Sequence, residues 1–450
     1  MKRDLTNGRI ISSLLAFSGP MILGNLLQQV YNIADTFIVG RYLGENALAA
    51  VGSTYTLTTF LYSIIIGLCM GSSSLVSYCF GEKNERRLKS CLNISFVIIG
   101  SVTVVTELII LCFSNGILRL LRTPVEIIPL TSDYVNVILS GIIFIFLYNF
   151  YSFMLRSLGN SITPLIFLGS SSVLNIPLDV AFVAYMDMGV KGAAYATVIA
   201  QAVSGVGLCV YSLVKEPLLR LSMRRSAFKD CSVSEVVRMS TAASVQQSVM
   251  NFGILMIQGL VNSFGTTVMA AFTVAVKIDT VAYMPAQEFG NAFSLFISQN
   301  YGAKKYNRIK SCVRYSCGIS ALFCAAVSVF VAVFSDKLMG LFVRSDQTDI
   351  IAVGSRYLIT EGSFYVGIGI LFLLYGYYRG INRPEMSLVL TVISLGTRVA
   401  LAYFLSSFEM IGVFGIWLSI PIGWVLADIV GITYMLSLIH ISEPTRHSLI

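Results

Sequence analysis

Between Arg9 and Arg41 the chain carries a single charged side chain, Asp35, in an otherwise uncharged run. An ionised carboxylate in the middle of a spanning helix costs about 2.5–3.5 kcal/mol on insertion scales, so it must face protein, water or an ion. By helical rise Asp35 lies about 9 Å in from Arg41. Asp179 precedes Asp187 by eight residues, which puts it about 12 Å in. Asn175 is one turn further along the same face, because positions four apart are helical neighbours. Thr197, six residues after Lys191, falls about 9 Å in on the next helix. Four polar side chains on three helices thus share one depth band. Two carboxylates plus neutral oxygens are the set that a proton or cation relay requires. The competing reading is a buried Asp–Asn bond that fixes helix packing. For the two acids the functional reading is preferred, because intramembrane acids are functional by default. Asn175 and Thr197 fit either, since such groups commonly bond across helices.

The second half has its own interior charges. Glu288 lies 16 residues before Lys304, Glu361 18 before Arg379, and Arg398 15 after Arg383. All three are expected at mid-membrane depth, and Lys277 and Glu288, 11 apart, share a helical face. Glu361 with Arg398 reads as a structural network. Glu288 reads equally as a group that attracts a cationic ligand. Both histidines, His440 and His447, stand in the last eleven positions, so proton chemistry in the core must use carboxylates. There is no phosphate-binding loop and no metal or nucleophile constellation. No enzyme activity, cofactor or metal is expected.

These side chains need a frame, and composition says which. Of 450 residues, 12% are charged and 56% hydrophobic, against about 25% charged in a soluble domain. Mean hydropathy is +0.78. An ordinary soluble fold and a disordered chain are both excluded. A span needs roughly 20 apolar residues, and the apolar runs give twelve: near 11–40, 47–79, 92–114, 130–155, 162–186, 189–213, 236–264, 267–299, 313–335, 350–378, 385–407 and 412–438. The expected fold is an all-α membrane protein. Runs 47–79 and 267–299 exceed one crossing and imply tilt or extension beyond the lipid. Assigning alternate loops to the side of the N-terminus puts twenty-two Lys and Arg there and seven opposite. That bias makes both termini cytoplasmic in a multi-pass cell-membrane protein. It also explains the net charge of +8 through topology and anionic lipid, with no nucleic-acid partner. Met1–Arg9 is polar and basic, so the first span is expected to stay as a membrane helix. The nine cysteines stand singly, mostly in apolar runs, and a disulfide framework is not expected.

An internal repeat supports this parse. Gly44, Tyr62, Ser77, Gly81, Lys83, Arg87 and Cys91 recur as Gly265, Tyr283, Ser298, Gly302, Lys304, Arg308 and Cys312, each 221 residues later. Late in each half, Gly189-x-x-Gly192 is echoed by Gly412-x-x-Gly415. The expected organisation is an N-terminal six-helix lobe over 1–213, a basic cytoplasmic linker over 214–235 and a C-terminal six-helix lobe over 236–438. The lobes are related by a pseudo-two-fold axis along the membrane normal, because six spans return the chain to the same side. The tail 439–450 lacks the basic cluster expected after a final span. It reads as an assembly artefact in preference to a short native tail.

Pro20, followed by Leu26-Leu27-Gln28-Gln29-x-Tyr31-Asn32-Ile33-Ala34-Asp35-Thr36-x-x-Val39-Gly40, resembles the first helix of bacterial multidrug and toxic compound extrusion transporters, the MATE family. Ala49-Ala50-x-Gly52, Phe80-Gly81, Arg156-Ser157-Leu158-Gly159-Asn160, Asn175-x-x-x-Asp179 and Gln299-Asn300-x-Gly302-Ala303 continue the likeness, which runs from about Leu14 to Leu436. It implies a secondary active multidrug efflux antiporter that exports organic cations in exchange for H⁺ or Na⁺ by alternating access, and that needs only lipid around it as a monomer. It assigns cation coupling to Asp35, Asn175, Asp179 and Thr197. Pro20 removes one backbone hydrogen bond of the first helix, which fits equally a bend that moves Asp35 and a static kink. Tyr31, Tyr283 and Glu288 are candidates for substrate contact. Two positions depart from the pattern: Thr241 stands where the repeat would place Pro20, and Met256 where it would place Asp35. A sodium site in the C-terminal lobe is therefore disfavoured. The runner-up is a lipid-linked-oligosaccharide flippase of the same superfamily. A polyanionic pyrophosphate would call for a cationic cavity, and the interior here holds more acids than bases.

The loop bias sets a test of orientation. Single cysteines placed at Lys337–Arg344 should react with an impermeant maleimide added outside cells, and those at Lys304–Lys310 should not. The reverse pattern overturns the assignment.

Overall fold

The computed structural model describes residues 4–120, 127–222, 225–344 and 346–442. Among these every regular element is a helix: α1 (Ile10–Leu43), α2 (Glu45–Gly81), α3 (Glu85–Leu120), α4 (Ile128–Ser140), α5 (Ile142–Ser157), α6 (Ile162–Asp179), α7 (Gly189–Lys215), α8 (Val233–Asn262), α9 (Thr266–Gly302), α10 (Tyr306–Gly340), α11 (Thr348–Gly362), α12 (Tyr365–Gly380), α13 (Pro384–Ser406) and α14 (Val413–Ser442). Helices alone can satisfy their backbone groups within one segment, which hydrocarbon demands. All twelve expected spans fall on them. Nine helices are long and apolar enough to cross a bilayer, and α4–α5 and α11–α12 add two spans bent by 44° and 52°. The twelfth, α8, is helical over all but the last two residues of its expected 236–264 but is more polar. α2 and α9 each have 37 residues, roughly 55 Å by helical rise, as their over-long apolar runs require. Of the residues invoked for orientation, Lys2, Arg3, Arg122, Arg224 and Arg446 lie outside the described residues, as do His447 and the end of the tail.

The chain forms two compact units, Met1–Ser244 with Ser298–Lys304, and Val245–Ile297 with Lys305–Ile450. Relative to the expected lobes, the first turns of α8 and the last residues of α9 join the first unit. Glycines explain both. A Cβ on Gly67 or Gly71 of α2 would collide with the backbone of Ser244 or Met239 in α8. A Cβ on Gly81 would run into the Gln299 carbonyl, and one on Gly302 into the Tyr78 carbonyl. Gly81 and Gly302 are repeat partners, and so are Tyr78 and Gln299, each pair 221 apart. The two helix ends therefore cross reciprocally, backbone on backbone. Leu5 is fully buried in the same unit. Its N–H donates to Gln299 Oε1 at 3.3 Å, and its carbonyl accepts from Asn300 Nδ2 at 3.2 Å.

The repeat is legible in backbone conformation. Among the described residues, eight of the ten left-handed positions occur as pairs: Gly44 with Gly265, Lys83 with Lys304, Gly159 with Asn382, and Gly189 with Gly412, leaving Gly8 and Asp187. The first two pairs are 221 apart and the last two 223, so the second half is two residues longer between them. The helix breaks match at the later offset, Gly141 between α4 and α5 answering Phe364 between α11 and α12.

One expectation is corrected. Cys91 and Cys231, 140 residues apart, are joined by a disulfide. Single spacing along the chain hid the pair, because the linker folds back onto the start of α3. Arg87 of α3 donates through Nη2 to both oxygens of Glu235, at 2.8 and 2.9 Å, and this charge-assisted contact seats the linker's far end.

The crossing of the α2 and α9 ends generates a test. Gly81→Ala should lower thermal stability, overpacking of this kind costing about 1–3 kcal/mol. Gly169→Ala, where an added Cβ meets nothing within 4 Å, should not. Scanning fluorimetry on detergent-purified variants separates the two; equal midpoints would refute the close crossing.

Candidate functional site

Asp35 of α1 is 9% exposed and Asp179 at the end of α6 is fully buried. The two carboxyls face each other. Asn175, one turn before Asp179, is also fully buried. No hydrogen-bond donor or acceptor among the described residues reaches Asp35 Oδ1, either oxygen of Asp179, or the amide oxygen and nitrogen of Asn175. Buried polar atoms are nearly always satisfied, and a cluster that is not points to a bound proton, ion or water. Tyr31, one turn before Asp35, donates its hydroxyl to Thr197 Oγ1 of α7 at 3.5 Å. Both carboxylates act electrostatically on Tyr31. The structure therefore assembles Asp35, Asp179, Thr197 and Tyr31 from α1, α6 and α7, with Asn175 one turn from Asp179; spacing places the other four, but not Tyr31, in one depth band.

Local sequence explains how Asp179 is aimed. Pro177 removes a backbone N–H inside α6, and the helix gives way to a π-helix over Val180–Tyr185, directly after Asp179. Such wide turns are common beside functional groups because they rotate a side chain off the regular helical register. The segment ends at Asp187, in left-handed conformation. α1, by contrast, is helical straight through Pro20.

Sequence reasoning missed other members. Tyr134 of α4 lies within electrostatic reach of Asp35, Asp179, Tyr31 and Tyr62. Tyr62 and Gln201 line, with Tyr31 and Gln28, a cavity of about 120 Å³ beside the acids. The repeat held the signal: Tyr62 answers Tyr283, and Tyr134 answers Tyr357.

The second unit encloses an equivalent cavity of about 210 Å³, lined among others by Asp279, Tyr283, Tyr357, Glu361, Arg398 and Trp424. Ile145, Asn149, Ser171 and Gln201 of the first cavity and Ile368, Phe372, Ser394 and Trp424 of the second are the same repeat positions, 223 apart. The chemistry has moved between them. Asp35 and Asp179 are replaced by exposed Met256 and buried Ala402, while Asp279 stands where the first lobe has Thr58, and Glu361 where it has Ile138. Asp279 and Glu361 contact each other within reach of Arg398, which occupies the position of Asn175. Glu361–Arg398 thus belongs to a three-charge cluster whose acid partner, Asp279, was not anticipated. Lys277, two residues away, is exposed and takes no part. Glu288 lines neither cavity: its Oε1 accepts from Asn291 Nδ2 at 3.2 Å, and Asn291 Oδ1 binds Arg379 at 2.9 Å. Its hydrogen-bonded neighbours there are polar and cationic.

Both cavities are smaller than the 300–1,000 Å³ typical of organic-ligand sites. They leave room for water-sized groups.

A profile of the MatE family matches residues 20–181 and 242–404, once in each half. The chain is 31% identical over 391 residues to a probable multidrug resistance protein, YpnP, of Bacillus subtilis, covering 87% of each. It is 24% identical over 433 residues to an FAD transporter of Shewanella oneidensis, covering 94% of this chain and 93% of that one. Among solved structures it matches a multidrug resistance MATE family transporter of the MOP superfamily in an outward-facing conformation, with a TM-score of 0.90, 25% identity and 98% of each chain covered.

The second cavity generates a test of charge balance. Arg398→Gln leaves two buried acids without their cation and should destabilise the protein by about 3–5 kcal/mol. Adding Glu361→Gln should recover part of that loss. Thermal unfolding of the single and double variants measures the coupling; strictly additive losses would show that the two side chains do not interact.

Proposed function

The chain belongs to the MatE family, and on that premise we propose that it is a multidrug efflux antiporter of the cell membrane, driven by protons through Asp35 and Asp179. The single observation that supports the coupling site is the pair of facing, buried carboxyls without a donor. Two carboxylates at close range in a medium of low dielectric oppose full ionisation of the pair, so one proton or one cation neutralises it. Asn175 and Thr197 supply neutral oxygens beside it. Loading from outside removes the repulsion between α1 and α6 and lets the two helices close. Release inward restores it. Pro20 is the point at which α1 can bend, because its ring removes one backbone hydrogen bond.

Protons are preferred over sodium because the second lobe has Met256 in place of Asp35. Organic cations are the preferred cargo. Among the described residues the buried charged groups are Asp35, Asp179, Asp279, Glu361 and Asp428 against Arg379 and Arg398, an excess of acids that favours a positive guest. The same excess disfavours a phosphate-bearing substrate, whether a flavin dinucleotide or a lipid-linked pyrophosphate. Tyr31 and Tyr283, each on its lobe's cavity wall, are the aromatic contacts to test. Both termini are taken as cytoplasmic.

Asp35→Asn and Asp179→Asn fix a neutral site that cannot cycle. Each should insert normally, since it removes a costly charge, and each should abolish export of a lipophilic cation driven by an imposed pH gradient in vesicles. A sodium gradient alone should drive no export by the native protein. Normal proton-driven efflux by both variants would remove the pair from the mechanism.

A further inference from the structure

The linker between α7 and α8 is fastened to the first turns of α3 by neighbouring side chains. Arg87 binds Glu235, Ser90 Oγ accepts the Cys231 N–H at 3.1 Å, and Asn93 accepts from Ser222 N at 3.1 Å while donating to the Ala227 carbonyl at 3.3 Å. The Cys91–Cys231 disulfide is the covalent member of this row. Beside it stands a third sulfur. Cys79, in the last turn of α2, is a free and fully buried thiol, with its Sγ 3.9 Å from Cys91 Sγ. That distance is van der Waals contact between sulfurs. All three cysteines belong to the first compact unit.

We propose that Cys79, Cys91 and Cys231 form a thiol–disulfide exchange site in which Cys91 is the shared sulfur. The Cys79 thiolate attacks Cys91 Sγ. The Cys79–Cys91 bond forms, the Cys91–Cys231 bond breaks, and the electron pair leaves on Cys231 Sγ, which takes up the proton that Cys79 released. The number of disulfides is unchanged, so no outside oxidant is consumed. What changes is the place of the crosslink. In one state it ties the linker, and with it the start of α8, to α3. In the other it ties the α2–α3 turn to itself and leaves Cys231, 7% exposed, as a free thiol at the linker's edge. Three hydrogen-bonded fasteners remain, so the linker stays docked but is no longer held covalently.

A buried cysteine often acts only as a small hydrophobe, and the test separates that role from exchange. The purified full-length protein is incubated in mildly alkaline buffer, trapped with N-ethylmaleimide at low pH, digested without reductant and mapped by mass spectrometry. Peptides linked through Cys79–Cys91 are expected beside those linked through Cys91–Cys231. Cys79→Ser should leave only the second pair. Cys231→Ser treated with diamide, an azo oxidant of thiols, should give only the first. Absence of the Cys79–Cys91 link from both the native protein and Cys231→Ser overturns the proposal. Tryptic cutting of the linker at Lys229 supplies a readout independent of the mapping. It should be faster in Cys231→Ser than in Cys79→Ser, and equal rates overturn the tethering role.

Discussion

Charge in hydrocarbon is tolerated only where the protein makes its own surroundings for it, and this constraint organises each lobe. Asp35 is isolated along its helix, so α1 must be closed by α6 and α7 to keep the carboxylate from lipid. The closure brings Asp179 against it, and two acids in one enclosure are only stable together when something positive joins them. On the proposed coupling role, packing and ion binding are the same event at this site. The π-helix after Pro177 gives α6 the rotation to meet α1, and the small cavity beside Tyr31 and Tyr62 leaves room for water to carry the ion in.

The second lobe solves the same problem with a resident cation. The Asn175 position carries Arg398, and the acids sit on α9 and α11 instead of on the helices equivalent to α1 and α6. An arginine cannot be deprotonated under ordinary conditions, so the second cluster keeps a constant positive partner where the first keeps only an amide. The duplicated frame, with its paired left-handed residues and matched helix breaks, has thus been retained while its electrostatics diverged. On the proposed coupling role, the first lobe takes its cation from outside, whereas the second holds one of its own in Arg398.

Most of the frame was legible in sequence because hydrocarbon imposes a length and a polarity that apolar runs report directly. Asp35, Asn175, Asp179 and Thr197 were legible for the same reason, since helical rise converts distance from a loop into depth. Asp279 was not, because exposed Lys277 two residues away drew attention to a different face of α9. Tyr134 and Tyr62 look like any membrane tyrosine until the repeat pairs them with Tyr357 and Tyr283. Contacts that depend on a loop folding back, such as Cys91 with Cys231, leave no periodic trace. Nor does the rotation after Pro177, which a proline announces without giving its direction. Glu288 shows the limit of that conversion: spacing gives an expected depth but does not say that the side chain meets Asn291.

Leu5 has a practical consequence. Its side chain is fully enclosed, and its backbone is held by Gln299 and Asn300. A purification handle or fluorescent protein joined just ahead of Leu5 would sit beside Gln299, against which Gly81 packs. Fusion partners for imaging or capture are better carried in a polar loop, and functional comparisons between differently tagged preparations need an untagged reference.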